Sequence, residues 1–436
     1  MTSLDTLLLG QTLSFTANPF ETAPSEAIAH IEDGAVAIRD GLVVEVGQAV
    51  DLKAKYQTAA ITDFGTHLIM AGFVDAHVHY PQTSIIASWG KQLIDWLNTY
   101  TFPEEMRFRD PAVCADISNR YLDLVLAHGT TTVASYTTIH PESVTAFFTA
   151  AQERGMAVVA GKTCMDRNAP DGLLDTAQSA YDDSRKLLQT WHRKGRARYA
   201  ITPRFSPTSS EEQLRVMGTL WAEHPDCLMQ THISEQLAEL QWVADLFPDA
   251  RDYLDTYEKA GLLGPGAVLG HAIYLNEREK DRIRDADAAL VHCPTSNTFI
   301  GSGLFDTGGL ASDGHRIGLA TDTGGGSSFS MLHTMAAAYE IGQLKGRSLH
   351  PSQLLWLATI GSARALRMDA EIGNLVAGMA ADLVILDLAS TQAIAQRAAR
   401  AEGLWDLVFP TIMMGDDRAI AATWVNGQLM TPQATF

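Results

Sequence analysis

Five side chains of the types that bind divalent metal ions recur at comparable places in a repeating pattern: His77, His79, His232, His271 and Asp322. His77 and His79 close the apolar run GFVDAHVHY. Side chains at i and i+2 of a strand point to one face, so both imidazoles can reach one ion. A lone HxH pair is a weak signal, because two histidines on a strand are usually ordinary structure. The signal sharpens because the later runs CLMQTHISE, AVLGHAIYL and IGLATDTGG supply His232, His271 and Asp322. Imidazole nitrogens combined with a carboxylate oxygen suit zinc, iron or a similar divalent ion. Glu235 follows His232 by three residues, on the turn that leaves the strand if His232 ends it. A Lewis-acidic metal can lower the pKa of water to about 7, and a nearby carboxylate can then carry the proton to a leaving group. The chemistry this set supports is metal-assisted hydrolysis.

Residues so far apart in sequence need a frame that brings them together. Eight strand-like runs, GFVDAHVHY, GTTTVASY, AVVAGKTCMD, RYAITPRFS, CLMQTHISE, AVLGHAIYL, ALVHCPTSN and IGLATDTGG, alternate with helical patterns such as EEQLRVMGTLWAEH and REKDRIRDAD. That alternation predicts an α/β fold, a (β/α)8 TIM barrel, whose active sites lie at the C-terminal ends of the strands. Six of the eight runs carry a chemically capable residue at or near that end. The two chain ends read differently: GAVAIRDGLVVEVGQ and ATWVNGQLM alternate apolar and polar around Asp40-Gly41 and Asn426-Gly427 turns. The expected organisation is a barrel over 71–375, with a small β-sandwich domain formed from 1–70 and 376–436.

The fourth run, RYAITPRFS, has Arg204 where some metallohydrolase barrels place a lysine that bridges two metals, and Lys162 belongs to the third run. One metal per chain is therefore expected. Gly324–Gly326 lack a following Lys-Ser/Thr pair and read as a turn, not a phosphate loop. Ser296 and Ser302 have no GxSxG elbow. His292 and Cys293 are as compatible with packing as with a cavity wall.

Composition narrows the partners. Over 436 residues, 32 Lys and Arg stand against 51 Asp and Glu, a formal net charge of −19. Such a surface repels phosphate backbones and anionic lipid, so neither nucleic acid nor membrane is an expected partner. Cys114, Cys164, Cys227 and Cys293 are scattered, with no CxxC pair, which predicts buried free thiols in a reducing, cytoplasmic setting.

The segments GFVDAHVH, THISE, LGHAI and LATDT, in that order and flanked by terminal β segments ending in GNLVAGMAADLVILD, resemble the amidohydrolase superfamily along the whole chain. Within it, HYPQTSIIASWGKQLIDWLNTYTFPEEMRF, TPRFSPT, HCPTSNTFIGSGLFD and TDTGGGSSFSML resemble the guanine deaminases. The resemblance implies zinc-dependent hydrolysis of guanine to xanthine and ammonia, a step of purine catabolism or salvage. It implies one Zn2+ per chain, with Fe2+ also compatible, held by His77, His79, His232 and Asp322, with His271 against the activated water. Glu235, His271 and Asp322 would be catalytic. Gln82, Trp96, Arg204, Phe205 and Glu235 would contact the purine, with Arg204 directed to its O6 side. A homodimer is also implied.

Overall fold

Apolar runs that are continuous, not alternating, require cover on both faces, and the middle of the chain meets that requirement with parallel strands wrapped by helices. The computed structural model describes residues 6–23, 26–90 and 92–430. Its strands in chain order are β1 (Thr6–Phe15), β2 (Ile28–Arg39), β3 (Leu42–Gln48), β4 (Ala60–Ala71), β5 (Phe73–His79), β6 (Thr130–Tyr136), β7 (Ala157–Gly161) and β8 (Thr163–Cys164). They continue with β9 (Ala197–Pro203), β10 (Leu228–Ile233), β11 (Ala267–His271), β12 (Ala289–His292), β13 (Arg316–Leu319), β14 (Leu383–Leu386), β15 (Ile420–Val425) and β16 (Gln428–Met430).

Strands β5, β6, β7, β9, β10, β11, β12 and β13 neighbour one another in that order, all parallel, with the short β8 beside β9. They coincide with the eight apolar runs, and the fold is the expected barrel. The seam between its first and last strands is joined just beyond β13, where Asp322 N donates to His77 O at 3.1 Å and His79 N to Thr323 O at 2.5 Å. Along the strands, alternate residues divide between bore and shell. Val74, Ala76, Ala134, Val159, Ala200, Leu228, Val268 and Val291 pack together in the bore. Val133, Val158, Ile201, Met229, Leu269 and Leu290 face the surrounding helices. On β5 the register against β6 slips between Asp75 and Val78, three residues on β5 spanning two on β6. This bulge inverts the alternation. Below it Val74 and Ala76 face the bore; above it Val78 and Tyr80 join the shell.

The chain ends form a small separate β domain whose seven strands run β16-β15-β14-β4-β1-β2-β3 in one continuous ladder, antiparallel except for the β1–β4 pair. Residues 1–5 and 431–436 lie outside the described residues. Both expected hairpin turns form, with φ near +52° and +76° at Asp40-Gly41 and +49° and +76° at Asn426-Gly427. This is the left-handed pair a tight hairpin needs. The two domains are tied by Asp382, which is 3% exposed. Its carboxylate accepts from Arg196 Nη1 and Nη2 and from Asn426 N, and its carbonyl accepts from Gly72 N. Removing it strands a largely buried guanidinium and a backbone donor. Asp382→Ala is expected to cost about 2 kcal/mol or more, read as a lower melting temperature with the site chemistry intact.

All four cysteines are buried and unpaired. Among the described residues no helix is long and apolar enough to cross a membrane.

Candidate active site

Above the bulge on β5, the odd-numbered side chains take over the bore, and His77 and His79 arrive at its C-terminal mouth. His232 reaches the same point from β10, His271 from the end of β11, and Asp322 from the loop after β13. All five are at most 9% exposed. His79 Nε2 stands 3.0 Å from His232 Nε2. Asp322 Oδ1 lies 3.5 Å from His77 Nε2 and 3.6 Å from His79 Nε2, while its Oδ2 lies 3.8 Å from His271 Nε2. His271 and Asp322 reach inward from left-handed backbone, φ +66° and +49°. For non-glycine residues such conformations cost of order 1 kcal/mol or more each, and they cluster at functional sites.

Three observations show that these residues suit a divalent cation. His77 Nε2 is buried and has no hydrogen-bond partner. Burial, reinforced by the neighbouring imidazoles and Arg204, holds His77, His79 and His232 well below the usual histidine pKa, so their lone pairs are available. Burial also pushes the Asp322 carboxyl up to about 7, the behaviour of a buried carboxylate that lacks a full counter-charge. The outer groups fix ring orientation. His232 Nδ1 donates to the Arg204 carbonyl at 2.8 Å, leaving Nε2 able to hold a metal ion. His271 Nδ1 donates to Asn297 Oδ1 at 2.9 Å, turning its Nε2 toward Glu235 and Asp322. Asp75 braces the loop after β13 by accepting from Thr321 N at 3.0 Å and Thr321 Oγ1 at 2.5 Å.

Gly270, the residue before His271, is the close neighbour of His77. A Cβ there would stand 2.5 Å from His77 Cε1 and 2.7 Å from Nδ1. Gly270→Ala should fold but tilt this imidazole. Metal affinity is expected to fall by about tenfold or more, measured by elemental analysis after dialysis against graded chelator.

Glu235 sits on the turn after β10, 2% exposed. Its Oε1 accepts from Ser302 Oγ at 2.8 Å, and its Oε2 lies 3.6 Å from His271 Nε2. Burial pushes the carboxyl up to about 7, against the opposing effects of Ser302 and Arg204. A carboxyl there can both give and take a proton at neutral pH.

One cavity connects this cluster to the remaining predicted residues: His79, His232, Glu235, His271 and Asp322 line it together with Gln82, Trp96, Arg204, Phe205, Leu93, Leu97, Ile300 and Gly325. Residues Tyr80–Ile85 and 93–109 fold as short helical turns beside the mouth, with a π turn at Leu97–Thr101. Arg204 follows β9, and its guanidinium pairs with Glu105 rather than reaching between the histidines. Lys162 pairs with Asp175 at 2.5 Å, and His292 with Thr307 Oγ1 at 2.9 Å. Neither lines the cavity. Sequence reasoning missed Glu105, Asn297 and the support that Ser302 gives Glu235. Glu105 and Asn297 lie in helices of four and six residues, too short for periodicity to carry a signal, and Ser302 lies in a loop.

The chain belongs to the amidohydrolase family, whose model matches residues 68–430. Within that class, it is 41% identical to the guanine deaminase of Escherichia coli (strain K12) over 414 residues, 95% of this chain and 94% of the relative. Its fold matches the E. coli guanine deaminase structure with a TM-score of 0.95 at 40% identity, covering 98% of this chain and 100% of that one. The guanine deaminase of C. acetobutylicum, solved with guanine bound in its active site, matches with a TM-score of 0.88 at 27% identity, covering 98% and 100%.

Proposed function

We infer that this chain deaminates guanine hydrolytically, giving xanthine and ammonia. The observation that carries the reading is that one cavity joins the histidine–aspartate cluster and Glu235 to an aromatic, amide and guanidinium wall. The similarity to guanine deaminases over nearly the full chain supports it. A flat, neutral base rich in donors and acceptors suits such a wall, with Phe205 against its face and Gln82 and Arg204 on its rim.

In this proposal His77, His79, His232 and Asp322 hold one divalent ion, Zn2+ or Fe2+. The ion would supply Lewis acidity toward water and toward the charge that develops at C2. His271, with Nδ1 committed to Asn297, has Nε2 to accept the water's proton, and Asp322 shares that task. Glu235 gives its proton to N3, then takes the hydroxyl proton of the C2 adduct and passes it to the departing amine, while the proton first taken by His271 and Asp322 returns to Glu235. Ser302 holds the carboxyl in place throughout. The finer reading includes a cytoplasmic homodimer, as the family resemblance implies. Light scattering on the purified protein measures the assembly.

The test is ammonia release from a panel. Guanine should be turned over, and adenine, cytosine and pterins by about 10³-fold less or slower still, because a site built around hydrogen bonds rejects bases that leave its groups unpaired. Robust turnover of another base with none of guanine would overturn the assignment. Elemental analysis on the same sample should find close to one metal per chain.

A further inference from the structure

We propose that Glu105 is a positioning residue that sets which hydrogen-bonding face the pocket shows its substrate, selecting a ring that carries an oxo group beside a ring N–H. The proposal rests on the reading that Gln82 and Arg204 contact the substrate.

Glu105 ends the short helix Phe102–Glu105, and its side chain is fully buried. Arg204 Nη1 donates to its Oε1 and Oε2, both at 2.9 Å, and Gln82 Nε2 donates to the same Oε1 at 2.9 Å. Phe102, one turn earlier, lies under the guanidinium, 5.8 Å from Cζ to ring centroid. One carboxylate thus holds both polar rim groups.

The consequence for Gln82 is chemical. A carboxylate paired with arginine only accepts hydrogen bonds, so the amide must present its NH2 to Glu105. Its Oε1 is then the end left for the cavity, and it is an acceptor. Arg204 is committed through Nη1, while Nε and Nη2 make no hydrogen bond to the protein among the described residues, and an arginine has only donors to offer. The rim therefore shows donors from Arg204 beside an acceptor from Gln82. That pattern complements C=O next to N–H. It opposes a 6-amino purine, whose edge has a donor and an acceptor in the reverse places. Without Glu105 the amide of Gln82 is free to turn over and the guanidinium loses its counter-charge.

The measurement is the affinity of hypoxanthine (6-oxo, N–H at position 1) against adenine (6-amino, bare nitrogen at position 1) for the metal-loaded enzyme, by calorimetry. Neither base carries the amino group that would leave from C2, so the readout does not depend on turnover of guanine. The parent protein should favour hypoxanthine by about 100-fold. Glu105→Gln, whose side chain can both donate and accept, should bring that preference to within about threefold, with unchanged metal content and with KM for guanine affected far more than kcat. Gln82→Leu, which leaves the buried Glu105–Arg204 pair untouched, should reduce the preference at least tenfold and serves if the first variant fails to fold. Retention of the full preference in folded Glu105→Gln, or in Gln82→Leu, overturns the proposal. So does an equal loss of both bases, which would mark Glu105 as structural only. Failure of guanine turnover in the parent would sink the substrate assignment and leave this comparison to be judged separately.

Discussion

Glu235→Gln should retain its metal and its fold while losing about 10³-fold or more in kcat, within the range general acid–base groups contribute. The substitution is nearly isosteric, so Ser302 can still donate to the remaining oxygen, and the side chain still fills its buried place beside His271. What it removes is the capacity to carry a proton. The carboxyl suits that task because burial raises it to about 7, where protonated and ionised forms are both populated at neutral pH. An amide has no such equilibrium. The check is steady-state kinetics alongside elemental analysis; a metal-replete variant with near-parental kcat would refute the proton-carrying role.

His232→Ala should abolish activity by a different route, through loss of the ion. Deleting this imidazole removes the partner of His79 Nε2 at 3.0 Å and takes one of two side-chain donors from the Arg204 carbonyl. Metal content is expected to drop below about one-tenth per chain after dialysis, with activity down at least 10³-fold. The backbone should survive: Arg204 O still accepts from His232 N at 3.2 Å and from Thr231 Oγ1 at 3.1 Å, whatever the side chain at 232. A variant that binds a full complement and turns over substrate would remove His232 from the ligand set. Exhaustive chelation of the parent protein is the companion experiment, and activity should return with added Zn2+.

Both arguments rest on residues whose positions are largely readable in the sequence. His77, His79, His232 and Asp322 terminate apolar runs, and a parallel barrel turns "end of strand" into "same mouth". Glu105 shows where such reading stops. It stands next to Glu104 in FPEEMRF, and nothing local separates the two carboxylates. In the fold Glu104 pairs with half-exposed Arg107 at 2.7 Å, whereas Glu105 turns inward to Arg204, 99 residues away. Which side of a four-residue helix faces the barrel is decided by tertiary packing alone. Asn297 and Ser302 were obscured for the same reason, since their partners lie 26 and 67 residues distant. The hairpin turns were legible because their chemistry is local: only residues tolerant of positive φ fit there.

The bulge on β5 has a bearing on how this sequence can change. Because one extra residue separates the phase of Val74 and Ala76 from that of His77 and His79, the lower bore and the histidine row are independent alphabets written on one strand. Substitutions at 74 and 76 can refill the barrel floor without turning the imidazoles, and the mouth can diversify without repacking the floor. What the strand cannot absorb is a change of length inside either set: without Val78 the two histidines would be neighbours pointing to opposite faces, so spacing here is more constrained than identity.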